Sequence, residues 1–263
     1  MVWYTTRMKN TITIHKKNTI TRGADFYSTM GKRALNSIYY LLQKHNLYQH
    51  RIITIRFSTM RKMMNLEKDN RYVETIKKAL LELREPIDLN NFTHPETGIK
   101  FQWFNCSVLN ESGFHKDEKI NEWLVHIEVS SIFKYAMKQE GSFTPLNLIQ
   151  YANKFRTKYA MKLYEYLRSF GALKYIDISQ KHMMKLLALD EKSTYKYYAK
   201  LLPLVERQLR DIAKNSDLPE VKLLSQKTLT KDKIFRIQIN PNSKKIADKL
   251  EAETALEKLI KRF

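Results

Sequence analysis

Helix, strand, short helix, longer helix and β-hairpin follow one another twice along this chain, which predicts an α+β protein of two tandem winged-helix domains. The break at Glu140, Gly141 and Ser142, ahead of Pro145, divides it into residues 1–141 and 142–263. Charge is the second observation: 47 Lys plus Arg stand against 27 Asp plus Glu, a formal net charge of +20. A surplus of that size favours a polyanionic partner, nucleic acid first. Third, residues 191–217 (EKSTYKYYAKLLPLVERQLRDIAKNSD) read as one amphipathic helix. Its apolar stripe is Tyr195, Tyr198, Leu202, Val205, Leu209 and Ile212. A cationic stripe of Lys196, Lys200, Arg207, Arg210 and Lys214 lies roughly 140° away.

In the first half, residues 1–22 alternate loosely and predict a short strand or an arm. Residues 25–46 form a helix with Met30, Ala34, Leu35, Ile38, Leu41 and Leu42 on one face. IITIRF (52–57) alternates as a strand, and residues 58–66 make a short helix capped by Ser58. Residues 70–83 form the longer helix, with Val73, Ile76, Leu80 and Leu83 inward and Arg71, Lys77 and Lys78 outward. Pro86 ends it. Strands at 99–109 and 122–130 follow, and the polar NESGFHKDEKIN between them reads as a loop or hairpin tip.

In the second half, residues 146–170 predict a long helix with Ile149, Phe155, Tyr159, Leu163, Tyr166, Leu167 and Phe170 buried and Gly171 as C-terminal cap. YIDI (175–178) is a strand and residues 179–187 a short helix; a turn near 189–191 leads into the helix described above, with Ser193 or Thr194 as its N-cap. Pro203 predicts a kink or distorted turn inside that helix. Residues 221–224 and 234–239 pair as two strands around the lysine-bearing tip SQKTLTKDK, and a charged helix over 244–262 closes the chain.

Several chemistries lack their residues. Cys106 is the only cysteine, which excludes an intramolecular disulfide and a CxxC metal site and suits a strand core. The seven histidines are scattered with no His-x-His, so a metal-dependent nicking centre has no ligands; Tyr159 and Tyr164 read as core or interface residues. Gly31, Lys32 and Arg33 lack the Ser/Thr and the upstream glycine of a phosphate loop. Asp117 and Glu118 beside Lys116 and Lys119 read as a solvated loop, and most aromatics, Trp103 and Trp123 included, as buried packing. No run approaches the ~20 apolar residues of a membrane span, and the N-terminal residues lack the apolar core of a secretory signal. The expectation is a soluble, intracellular, non-enzymatic protein with neither metal nor cofactor.

KYAMKLYEYLRSFGA, then YIDISQKHMMKLLAL, then YYAKLLPLVERQLRDIAKNSDL carry a resemblance. They are similar to replication initiator (Rep) proteins of iteron-carrying, theta-replicating bacterial plasmids. The matching pattern is Leu163, Tyr164, Glu165, Tyr166, Leu167 and Arg168, then Asp211 and Ile212, then Ser216, Asp217 and Leu218. Asp211-Ile212-Ala213 departs from the more usual Glu-Ile-Asn. The resemblance implies two winged-helix domains that bind direct repeats at a plasmid origin and help to open it. It further implies a cytoplasmic protein in monomer–dimer equilibrium, with the dimer contact in the first domain and repressing its own gene. Host initiator protein, helicase and chaperones are the implied partners.

On this reading the helix enters a major groove with Lys192, Ser193, Thr194, Lys196 and Tyr197 near base edges. Lys200, Arg207, Lys227, Lys231, Lys233 and Arg236 contact phosphates, Arg210 acts on the backbone or the neighbouring domain, and Arg71, Lys77 and Lys78 add contacts from the first domain. The alternatives are a transcriptional repressor with the same chemistry, a nicking or nucleotide-hydrolysing enzyme, and a basic RNA-binding protein.

Overall fold

A computed structural model describes residues 13–22, 27–66, 72–138, 143–147, 155–171, 173–190, 192–229 and 232–239. The expected closing helix over 244–262 lies outside them.

The first module begins with β1 (Thr13–Lys17) and a single turn, α1 (Asn18–Thr21). In α2 (Thr29–Lys44) the Ser28 hydroxyl accepts from the Gly31 amide at 3.1 Å, which caps the first turn. Ala34, Leu35, Ile38, Leu41 and Leu42 recur at helical spacing and are buried. β2 (Ile52–Arg56) runs directly into α3 (Phe57–Met63). Ser58 does not cap α3, because the helix already begins one residue earlier; the Glu122 carboxylate accepts the Ser58 amide at 3.1 Å instead. α4 (Tyr72–Glu82) buries Ile76, Ala79 and Leu80.

Two strands in this module differ from the expectation. Pro86 opens β3 (Pro86–Thr93), which pairs with β4 (Lys100–Ser107); a strand's first position needs no proline N–H. The polar stretch read as a loop is mostly β5 (Leu109–Asp117), paired with β6 (Glu122–Val129). Only residues 118–121 turn, where Asp117 Oδ1 accepts the Lys119 amide at 2.9 Å and Asn121 takes a left-handed φ of 48°. The three-stranded sheet has the order β2-β6-β5, and α5 (Ser131–Lys138) follows it. Trp103 on β4 is 56% exposed and Trp123 on β6 is 38% exposed, against the expectation of buried packing.

The expected long helix over 146–170 is replaced at its start by β7 (Phe143–Asn147), antiparallel to β1. Phe143, Thr144, Pro145 and Leu146 are all buried, so this short run is enclosed on both faces. Residues 148–154 of the expected helix lie outside the described residues; among those described, α6 (Lys158–Arg168) is capped by Thr157, whose hydroxyl accepts the Ala160 amide at 3.1 Å. Ser169, in right-handed conformation, is its C-cap rather than Gly171. A Cβ on Gly171 would lie 3.2 Å from the Arg168 carbonyl, so close approach, not a left-handed turn, suits glycine there.

β8 (Tyr175–Ser179) and α7 (Gln180–Leu186) follow; the Ser179 hydroxyl accepts the His182 amide at 3.2 Å and caps α7. After α8 (Tyr198–Asn215) come β9 (Lys222–Leu229) and β10 (Asp232–Gln238), in a sheet of order β8-β10-β9. In both three-stranded sheets the last strand of the module lies in the centre. Buried apolar residues from both halves of the chain join in one core.

Candidate nucleic-acid interface

The helix expected over 191–217 begins later. Among residues 192–197 only Thr194–Lys196 forms a turn of 3₁₀ helix, and α8 starts at Tyr198 with no side-chain cap from Ser193 or Thr194. Local hydrogen bonds give this stretch a turn of its own, and two of them divert carbonyls, those of Asp190 and Lys196, from helical pairing. Asp190 Oδ1 accepts the Lys192 amide at 2.8 Å, and the Asp190 carbonyl accepts both the Ser193 amide at 2.9 Å and its hydroxyl at 2.5 Å. Farther on, the Gln180 side chain donates to the Lys196 carbonyl at 2.6 Å, and the Lys200 amide turns to Tyr197 instead. The proposed base-edge residues thus stand on a shaped turn ahead of the helix.

That turn is open. Lys192, Thr194, Lys196 and Tyr197 are exposed, Ser193 half-buried, and Tyr197 reaches 60% exposure with the Lys196 ammonium 5.1 Å from its ring centroid. Along α8, Tyr198, Leu201, Leu204, Val205, Leu209 and Ile212 are buried, whereas Lys200, Pro203, Arg207, Arg210 and Lys214 are exposed at steps of three and four. Pro203 lies on the wet side, where water can satisfy the carbonyl left without a donor, and one α-helix spans it.

The other proposed contacts divide. Lys233 is exposed, with its ammonium 4.6 Å from the Tyr198 ring, itself stacked at 5.0 Å on Phe235. Arg236 is half-buried and forked onto Asp177, Nε to Oδ1 at 2.7 Å and Nη2 to Oδ2 at 2.5 Å, and hydrogen bonding to that carboxylate raises its pKa. The fork lies on an exposed face of the sheet, tied to the neighbouring strand, with the Arg236 guanidinium 5.0 Å from the centroid of the Tyr175 ring. Lys227 is on β9 opposite Ile234, Lys231 and Arg71 lie outside the described residues, and Lys77 and Lys78 are exposed on α4, Lys77 being 3.7 Å from Glu74. Reasoning from sequence missed Gln180, and it missed the exposed Lys181 and Lys185 on α7, whose i, i+4 spacing was the available signal. It also placed Lys116 in a loop, whereas it lies on β5 opposite Trp123.

The residues quoted for the resemblance hold α8 in place. Asp217, just after the helix, accepts the Tyr164 hydroxyl at 3.0 Å and pairs with Arg168 Nε at 3.0 Å. Thr157 donates to the buried Gln208 at 2.6 Å. Burial raises the Tyr164 pKa well above its ordinary value, with Asp217 adding to the effect. Among the described residues no three His, Cys, Asp or Glu side chains converge as metal ligands would, and no helix is long and apolar enough to cross a membrane.

Helix, strand, two helices and a hairpin around a three-stranded sheet with a basic helix turned outward define a protein of winged-helix type. The family model described as initiator replication protein, WH1, matches residues 13–168, more than half of the chain, and the chain belongs to that family of replication initiators. Two crystal structures of domains 2 and 3 of RctB are similar to it. One, of selenomethionine derivatives, has 11% identity over 80% of this chain and 81% of that one, with a TM-score of 0.44. The other has 8% identity over 82% and 84%, with a TM-score of 0.43. A search of curated proteins returned no relative.

Proposed function

We propose that this replication initiator works without catalysis, as a sequence-specific binder of direct repeats (iterons) in duplex DNA at a plasmid origin. Residues 1–141 and 142–263 act as two winged-helix domains joined through the β1–β7 sheet. The exposed stripe Lys200, Arg207, Arg210 and Lys214, continuous with the turn 192–197, is the observation that carries the reading. Lys192, Ser193, Thr194, Lys196 and Tyr197 meet base edges, the stripe and Lys233 meet phosphates, and α4 adds contacts through Lys77 and Lys78. Binding helps to open the origin; dimers formed through the first domain repress the protein's own gene. Its setting is the bacterial cytoplasm, where host initiator, helicase and chaperones are its partners.

Selection of bound duplexes from a random pool, followed by footprinting of the winner, tests the reading. The expected winner is a repeat of about 20 base pairs, with protection in successive major grooves and affinity falling with salt at about 0.9 log units per neutralised phosphate. Salt-insensitive binding, or tighter binding to structured RNA, overturns it.

A further inference from the structure

We infer that residues 13–22 form a strap that fixes the spacing between the two DNA-contacting modules, with Lys16 and Arg22 as its positioning residues; this rests on the reading that both modules touch one duplex.

The strap is fastened on both sides. β1 pairs with β7 along one edge, and opposite Pro145, which lacks an N–H, His15 turns its own amide and carbonyl outward. Gln43 on α2 takes both, accepting the His15 amide at 2.9 Å and donating to its carbonyl at 2.5 Å. The strap is thereby fixed to the first module. Toward the second, the Lys16 ammonium meets the Glu165 carboxylate of α6 at 2.6 Å, with side-chain exposures of 1% and 0%. Arg22 donates to the Ser169 hydroxyl at 3.1 Å and carbonyl at 3.0 Å, and its guanidinium lies 3.9 Å from the centroid of the Phe170 ring. Between these points Thr144 on β7 donates to the buried Asn18 at 2.6 Å.

Through Thr157 to Gln208, and through Tyr164 and Arg168 to Asp217, α6 in turn carries the reading helix. A continuous chain of buried and half-buried polar contacts therefore runs from α2 to α8. Two modules held this way present their helices at one separation and one rotation, and gain a high effective concentration for each other only on a site with matching spacing.

The test uses full-length protein and the duplex enriched from the random pool, with one or two base pairs inserted between the parts of the site that the two modules protect. Each insertion turns one part by roughly 35° and moves it by roughly 3.4 Å. Wild-type protein is expected to lose at least tenfold in affinity per insertion. Arg22→Ala and Lys16→Ala are expected to cut that penalty to threefold or less while binding to the isolated second half-site stays unchanged, and the swapped pair Lys16→Glu with Glu165→Lys to restore part of it. Arg22, at a part-exposed position, keeps the test informative should Lys16→Ala fail to fold. A full penalty retained in Arg22→Ala overturns the strap. A wild-type protein indifferent to the insertion overturns instead the reading that two modules share one site.

Discussion

Lys16 and Glu165, 149 residues apart in sequence, meet at 2.6 Å with almost no exposure to water. Two charges taken so far out of solvent are costly unless paired and further hydrogen-bonded. Removing one partner is therefore expected to destabilise the fold far more than replacing both with apolar residues of similar volume. Lys16→Met should lower the unfolding free energy by about 3–5 kcal/mol, and Lys16→Met with Glu165→Met by much less. Urea denaturation of both variants checks this, and equal losses would show that packing rather than charge dominates.

Asp217 is a second, half-buried junction, shared by the Arg168 guanidinium and the Tyr164 hydroxyl. Asp217→Ala leaves the nearly buried Arg168 without this carboxylate, and a loss of about 3 kcal/mol is expected. Because these contacts hold the end of α8, DNA affinity should fall as well, and a thermal scan alongside a binding titration separates the two effects.

On the interface, Lys196→Ala and Tyr197→Ala should weaken binding to the selected duplex by roughly 1–3 kcal/mol more than binding to random duplex. Arg207→Ala should weaken both alike and reduce the salt slope by about one. Equal behaviour of Lys196→Ala and Arg207→Ala would remove the turn 192–197 from base reading.

Acid should destabilise the protein earlier than its carboxylates alone dictate. Burial lowers the pKa of His15, His45, His126 and His182, with Lys44, His115 and Lys185 adding to the effect on the last three respectively. The folded values lie below the ~6.5 of an unfolded histidine, so the unfolded chain binds more protons between the two. Stability is full above about pH 6.5 and declines as pH falls through that window. His126 also bridges Thr54 at 2.8 Å and His115 at 2.5 Å, with ring centroids 4.6 Å apart and planes 16° apart. Rings that close at the nitrogens, with centroids so far apart, lie nearly coplanar, as an in-plane N–H···N bond requires. Protonating both rings breaks that bond. Urea midpoints between pH 5 and 8 should slope less in His15→Gln and His126→Gln than in wild type.

Cys106, half-buried on β4, has its thiol pushed up to about 12 by burial. Alkylation at pH 8 is expected to be slow in the folded protein and fast in urea. Rapid modification of the native protein would show that β4 opens.

Elements with one buried face were legible from residue order. α2 and α4 declare themselves through their apolar spacing, and β2 through the alternation in sequence of Ile53, Thr54, Ile55 and Arg56. β3 (PIDLNNFT) and β5 (LNESGFHKD) were not, because their polar residues take strand form from the partner across the ladder, as Leu89 opposite Phe104 and Phe114 opposite Val125 illustrate. β7 was hidden for the same reason, since its partner β1 lies more than a hundred residues upstream.

Within the candidate interface, the cationic stripe of α8 was written in the sequence; its starting point was not. Gln180 captures the Lys196 carbonyl, which a helix from residue 191 would have used for the Lys200 amide, and that competition exists only once α7 stands beside the turn. Likewise, Glu165, Arg168 and Asp217 were recognisable as parts of a pattern, but that Arg168 meets Asp217 and that Lys16 meets Glu165 was not. By itself the sequence determined net charge, helical faces and family likeness, all properties of neighbouring residues or of sums over them. The tertiary structure alone decided which distant polar groups meet, because a buried charge or carbonyl takes whatever partner the folded chain brings within hydrogen-bond reach.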